Sequence, residues 1–122
     1  MPIDQTFPKT KRLRKTSEFQ LVFERRRSVA DARLILYFRP NDLGHPRLGL
    51  SVSRKVGNAV IRNRWKRIIR EVFRKVVGVL PLSLDLVAVP KRGIAPPTSG
   101  EIEASFRFLL KRIKSKDNPV VQ

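Results

Sequence analysis

The apolar side chains Ile61, Trp65, Ile68, Ile69, Val72, Phe73 and Val76 recur at helical spacing and share one arc of roughly 120°. A stripe that wide must be buried against a sheet or another helix, so a fold must be built around it. The opposite arc carries Asn63, Arg64, Arg67, Arg70 and Arg74, with Arg62 and Lys66 along the other border and only Glu71 of opposite sign. A helix face that merely keeps a protein soluble mixes its charges, because like charges four residues apart cost on the order of a few tenths of a kcal/mol. Lys66 with Arg70, and Arg70 with Arg74, are such like pairs. The face is therefore suited to lie against a polyanion.

The whole chain has the same bias. Its 122 residues carry a formal net charge of +17, a self-repulsion most simply explained by a partner that neutralises it. That partner is nucleic acid or an anionic membrane. No stretch reaches the roughly 18 to 20 consecutive apolar residues of a spanning helix, and the N-terminus lacks the charged lead, apolar run and cleavage site of a signal peptide. A soluble, cytoplasmic protein with no membrane partner is expected. The absence of cysteine excludes disulfides and thiolate metal sites, and an apolar fraction of 41% suits one small domain.

Residues 1–11 hold two prolines and no periodicity, and are expected to be a flexible N-terminal segment. A single domain is expected over 12–113, followed by a flexible tail at 114–122. Ser17 followed by Gln20 suggests a capped helix from Ser17 to about Arg26, with Phe19, Val22 and Phe23 on one side. Alternation predicts a strand over 32–38, and another over 48–53 in which Leu48, Leu50 and Val52 face one way and the small Gly49, Ser51 and Ser53 the other. Asn58 is placed to cap the basic helix, with Gly78 and Pro81 to end it. Leu84 to Val89 reads as a third strand. Thr98 and Glu101 then cap a last helix whose stripe is Ile102, Phe106, Leu109, Leu110 and Ile113. The order is α-β-β-α-β-α, with an extra short strand possible at 28–30. This implies an α/β (α+β) sandwich in which helices pack one small sheet whose strand order the pattern leaves open.

Two surfaces stand out. A strand and a Gly-Asn turn, not a second helix, precede the basic helix, which favours phosphate contact over insertion into a DNA major groove. Arginines on successive turns can follow a folded RNA backbone by forked hydrogen bonds to phosphate. Asn63 can donate and accept, suiting a phosphate, a 2′-hydroxyl or a base edge, and equally a local cap. Phe19 and Phe23, one turn apart, could join Tyr37 beside the smooth Gly49, Ser51, Ser53 face to form a groove for an unpaired strand. The same aromatics could equally be core. Catalytic groups are lacking: His45 lies in a turn, and Asp31, Asp42, Asp85 and Glu71 are scattered, as surface carboxylates usually are.

The run Lys55-Val56-Gly57-Asn58-Ala59-Val60, then Arg62-Asn63-Arg64, Lys66-Arg67 and Arg70, resembles the signature of the bacterial ribonuclease P protein subunit. The resemblance extends from Arg12-Leu13 and the Phe19/Phe23 pair through Gly49-Leu50-Ser51-Val52-Ser53 to the last helix. It implies a fold like the second domain of ribosomal protein S5, with a left-handed crossover, in a ribonucleoprotein whose RNA removes the 5′ leader from precursor tRNA. The protein is then an accessory subunit, non-catalytic alone, that binds no cofactor itself, with Mg²⁺ expected at the catalytic RNA. Its partners are that RNA and precursor tRNA, with no obligate protein partner. By the same resemblance Arg62, Asn63, Arg64, Lys66, Arg67, Arg70 and the adjoining Arg74 bind the catalytic RNA, as do Arg54 and Lys55 at the cleft's edge. Phe19, Phe23 and Tyr37, with Ser51 and Ser53, line the leader cleft. Trp65 stands where the family more often has a smaller aliphatic residue, and is expected to fill helix–sheet space. A ribosomal or other structural RNA-binding protein, and a DNA-binding module, are the rival readings.

Overall fold

The computed structural model describes residues 12–117 except positions 14 and 26. The segment expected to be flexible at 1–11, and residues 118–122 of the tail expected to be flexible at 114–122, lie outside the described residues. Helix α1 spans Thr16–Glu24, strand β1 Ser28–Ala30, β2 Leu34–Pro40 and β3 Arg47–Leu50. A short 3₁₀ turn, Arg54–Val56, precedes α2 at Ala59–Val72, which continues as one widened π turn, Phe73–Val77. Strand β4 at Leu84–Pro90 and helix α3 at Ser99–Asp117 complete the chain. Helix α3 thus continues past the domain end expected at 113.

Local chemistry accounts for most element boundaries. The Asn58 side-chain oxygen accepts the Ile61 N–H at 3.0 Å, the cap expected for α2. Just before it, a Cβ on Gly57 would lie 2.8 Å from Ile61 Cγ2, so only glycine lets the chain approach the first turn so closely. The Thr98 hydroxyl accepts the Glu101 N–H at 3.2 Å while the Glu101 carboxylate accepts the Thr98 N–H at 2.9 Å, a reciprocal cap on α3. That bond to the Thr98 N–H, with the charge of Arg33, holds the Glu101 carboxyl below its usual range.

Several boundaries depart from the sequence reading. Helix α1 ends at Glu24, not near Arg26, and β3 ends at Leu50, not at residue 53, where the Ser53 hydroxyl already caps the next turn. The starts of α1 and β2 shift as well. Helix α1 starts at Thr16, not behind a Ser17 cap, because the Glu18 carboxylate takes the Lys15 N–H at 3.1 Å. The Glu18 carboxylate, also gripped by Arg47, closes the first turn back on Lys15, two residues before the cap expected at Ser17. Strand β2 starts at Leu34, not at residue 32, because the Asp31 carboxylate accepts the N–H groups of Arg33 (2.8 Å) and Leu34 (2.9 Å) and bends the chain first. Burial pushes the Asp31 carboxyl up, but the Ser105 hydroxyl, these two N–H groups and the Arg33 charge outweigh it, and the net shift is downward.

The sheet has the order β1-β2-β4-β3. β2 pairs antiparallel with both β1 and β4, whereas β3 lies parallel to β4 at the edge. Adjacent parallel strands need a crossover, and the segment carrying α2 supplies it. Alternation then sorts the side chains. Leu34, Leu36, Phe38, Leu48, Leu84, Leu86 and Ala88 pack with Trp65, Ile68, Ile69 and Val72 of α2 and with the full α3 stripe in the main core. On the other face Val87 packs with Val22 and Leu13, flanked by the partly buried Phe19, Phe23, Tyr37 and Val89. Helices therefore cover both faces, as the sandwich requires. Trp65 fills helix–sheet space with no exposed surface, as expected.

Candidate nucleic-acid interface

Burial of its stripe aims the rest of α2 outward. Asn63, Arg64, Arg67 and Arg70 are exposed, and Lys66 and Arg74 are half-buried. Among the described residues, the carboxylate ion pairs go to Arg33, Arg39, Arg47 and Arg107, and none to Arg64, Lys66, Arg67 or Arg70. Among the described residues these four cations of the positive face thus have no carboxylate partner. Arg62 differs from its neighbours: it is half-buried, and its Nε donates to the Gly57 carbonyl at 3.2 Å. It ties the helix to the preceding turn as well as adding charge. Arg54 and Lys55 stand exposed on the 3₁₀ turn, which the Ser53 hydroxyl caps by accepting the Lys55 N–H at 3.1 Å.

The aromatics do come together, though not around an open Gly49. A Cβ at Gly49 would lie 2.7 Å from Cε1 and Cζ of Phe19 and 3.1 Å from Leu13 Cβ, so the Phe19 ring occupies the space that the missing side chain leaves. Gly49 is accordingly buried. One helical turn on, Phe23 meets Tyr37 edge to face, with ring centroids 4.9 Å apart at 74°. All three rings remain half-buried, so each presents one side to the core and another outward. Their packing against Leu13, Val22 and Val87 accords with the core reading for the inward sides. Beyond the Phe19 seat, Ser51 is half-buried and its N–H continues the ladder to the Ala88 carbonyl at 3.1 Å, while Ser53 is exposed.

A cavity of about 300 Å³ connects the two surfaces. It is lined by Arg12, Leu13, Phe19, Leu48, Leu50, Lys66 and Arg70. Along the edge of β3 it brings an aromatic ring and the cations of α2 into one concavity, a juxtaposition no local pattern could reveal. Arg12 is the residue that sequence reasoning left off the site. Its signal in the sequence is the Arg12-Leu13 start of the resemblance, and in the fold the Leu13 N–H bonds the Leu48 carbonyl at 2.9 Å and draws the segment to the β3 edge.

Asp85 also corrects the sequence reading, which took it for a surface carboxylate. It is 1% exposed. Arg47 grips it with both Nε and Nη2 at 2.8 Å, Asn41 donates to it at 2.8 Å, and Arg39 approaches to 3.6 Å. The hydrogen bond to Asp85 holds the Arg47 guanidinium above its ordinary range. Register explains the cluster, since Arg39, Asp85 and Arg47 are cross-strand partners on one row of the sheet. His45 is half-buried, its Nδ1 3.2 Å from the Pro46 carbonyl oxygen. Among the described residues no three His, Asp or Glu side chains converge where they could hold a metal ion.

Residues 7–114 match the family model described as Ribonuclease P. The chain is 42% identical over 105 residues to the ribonuclease P protein component of Brevibacillus brevis, covering 84% of this chain and 82% of the relative. With the component from Thermotoga maritima it shares 37% over 91 residues, covering 75% and 78%. The fold superimposes on the RNase P protein of Staphylococcus aureus with a TM-score of 0.73 at 37% identity, covering 85% of this chain and 95% of that one. For the Thermotoga maritima protein the TM-score is 0.74 at 34% identity, covering 83% and 96%.

Proposed function

The chain belongs to the ribonuclease P protein family, and from that premise we propose that it is the protein subunit of the ribonucleoprotein that removes the 5′ leader from precursor tRNA. The exposed face of α2, with Arg54 and Lys55, binds the catalytic RNA through phosphates. The outward sides of Phe19, Phe23 and Tyr37, together with Ser51 and Ser53, receive the leader. Hydrolysis belongs to the RNA and to Mg²⁺ held by its phosphates, and the protein supplies binding and orientation. Family membership favours this reading over a ribosomal or DNA-binding role. Among the described residues no helix is long and apolar enough to cross a membrane, and RNA partners favour action in the cytoplasm.

The observation that carries the division of labour is the cavity where Phe19 meets Lys66 and Arg70, for a strand leaving the aromatics passes directly to phosphate-binding cations. Reconstitution with the organism's catalytic RNA at low Mg²⁺ tests it. Cleavage of precursor tRNA should depend on adding the protein, and the holoenzyme should prefer leader-bearing over mature tRNA. Equal affinity for both, or cleavage by the protein without RNA, would refute the proposal.

A further inference from the structure

The fork of Arg47 does more than neutralise Asp85. With Nε and Nη2 committed to that buried carboxylate, its Nη1 reaches out of the sheet to Glu18 Oε2 at 3.1 Å. The other oxygen of Glu18 accepts the Lys15 N–H at 3.1 Å, at the first turn of α1. Glu18 thus carries two unlike jobs, capping the helix and fastening it to the rigid row formed by Arg47 and Asp85. The next residue along α1 is Phe19, whose ring sits on Gly49, and Phe23 follows one turn later against Tyr37. Relatively little apolar burial anchors α1, since Val22 is its one fully buried side chain. Its roll and tilt on the sheet therefore depend on the clamp and the Phe19 seat at one end and on the Phe23–Tyr37 contact at the other.

We propose that Glu18 and Arg47 are positioning residues that set the angle of α1 and so hold Phe19 and Phe23 in register for the leader. Neither needs to touch RNA. The inference rests on the leader-cleft reading above and adds a specificity role for an ion pair on the sheet. The pair is partly exposed, with side chains 20% and 26% accessible, so its direct contribution to stability is small. Its effect lies in geometry. Charge makes the idea sharply testable, because Glu18 is an acid near an RNA-binding surface. Deleting it should by simple electrostatics tighten the binding of any RNA. Loss of helix position predicts the opposite, and for leader-bearing RNA alone.

The test uses holoenzyme reconstituted with Glu18→Ala, Glu18→Gln, Phe19→Leu and the Glu18→Ala/Phe19→Leu double variant. Affinities are measured for precursor and mature tRNA, and for the catalytic RNA itself. Glu18→Ala should weaken precursor binding by about 3- to 10-fold while leaving mature tRNA and catalytic-RNA binding unchanged or slightly tighter. Glu18→Gln keeps one oxygen for the Lys15 N–H and should recover part of the loss. The double variant should lose little more than Phe19→Leu alone, because both changes spoil the same contact. Unchanged or tighter precursor binding in Glu18→Ala would overturn the proposal, and so would equal weakening for precursor and mature tRNA. If the unsubstituted holoenzyme shows no preference for the leader, the functional reading fails instead, which keeps the two apart.

Discussion

Gly49→Ala tests the packing on which the aromatic surface depends. The added Cβ would stand 2.7 Å from two Phe19 ring carbons and 3.1 Å from Leu13 Cβ. Carbon atoms rest at about 3.5 to 4.0 Å, so the ring must withdraw by roughly 1 Å. Phe19 cannot yield freely, because it belongs to a helix pinned by Glu18 on one side of it and by the Phe23–Tyr37 contact on the other. Overpacking of this kind costs about 1–3 kcal/mol. Alanine in a strand returns roughly 0.5–1 kcal/mol of backbone entropy, leaving a net loss of about 0.5–2 kcal/mol. At roughly 4 °C per kcal/mol for a domain of this size, the midpoint should fall by about 2–8 °C. Thermal and urea unfolding read the stability, and titration of reconstituted holoenzyme with precursor and mature tRNA reads the cleft. Phe19→Leu in the same background should relieve the clash, giving a coupling of at least about 0.5 kcal/mol in the double-mutant cycle. A stable Gly49→Ala protein with full leader preference, or strictly additive effects, would refute the packing argument.

Replacing Arg64, Arg67 or Arg70 by Ala should weaken catalytic-RNA binding and lower the salt slope of log K by up to about 0.7 to 0.9 for each phosphate no longer neutralised, with folding intact; unchanged slopes in all three would remove α2 from the interface. Arg62→Ala should in addition cost on the order of 1 kcal/mol in urea unfolding, because it strips the Gly57 carbonyl of its donor. Tyr37→Leu should reduce precursor tRNA affinity by on the order of 1 kcal/mol and leave mature tRNA alone, with leader truncation erasing the difference; equal losses would make the ring purely structural. Because the folded state depresses the Asp31 carboxyl, its contribution is fully present above the ordinary value near 4 and is lost as pH falls through the lower folded value. Asp31→Asn should accordingly be less stable at pH 7, and the gap in urea midpoints should close below about pH 4; a constant gap across that range would show that the charge plays no part.

What could be read from the chain follows the range of the interactions involved. The caps at Asn58 and Thr98 were legible because donor and acceptor lie within three residues, and the stripes of α2 and α3 because helical geometry alone puts their members on one side. The basic face was legible for the same reason, being what remains of α2 once its stripe is buried. At Ser17 and Asp85 the local signal failed because a distant group intervened, whereas the late start of β2 came from the local turn at Asp31. Ser17 lost the cap of α1 to Glu18, which Arg47 holds from 29 residues away. Asp85 passed for a surface acid because its partners, Arg47 and Asn41, stand 38 and 44 residues off. The order β1-β2-β4-β3 had no local signature either, since alternation says which face a side chain takes but not which strand lies beside it. By itself the sequence determined the elements, their buried sides and the sign of the partner. Tertiary structure alone decided that Phe19 rests on Gly49, that Arg47 joins the sheet to α1, and that one cavity brings Phe19 together with Lys66 and Arg70. Those contacts depend on the parallel placement of β3 beside β4, which is set by the summed packing of the whole sheet and not by any short run of residues.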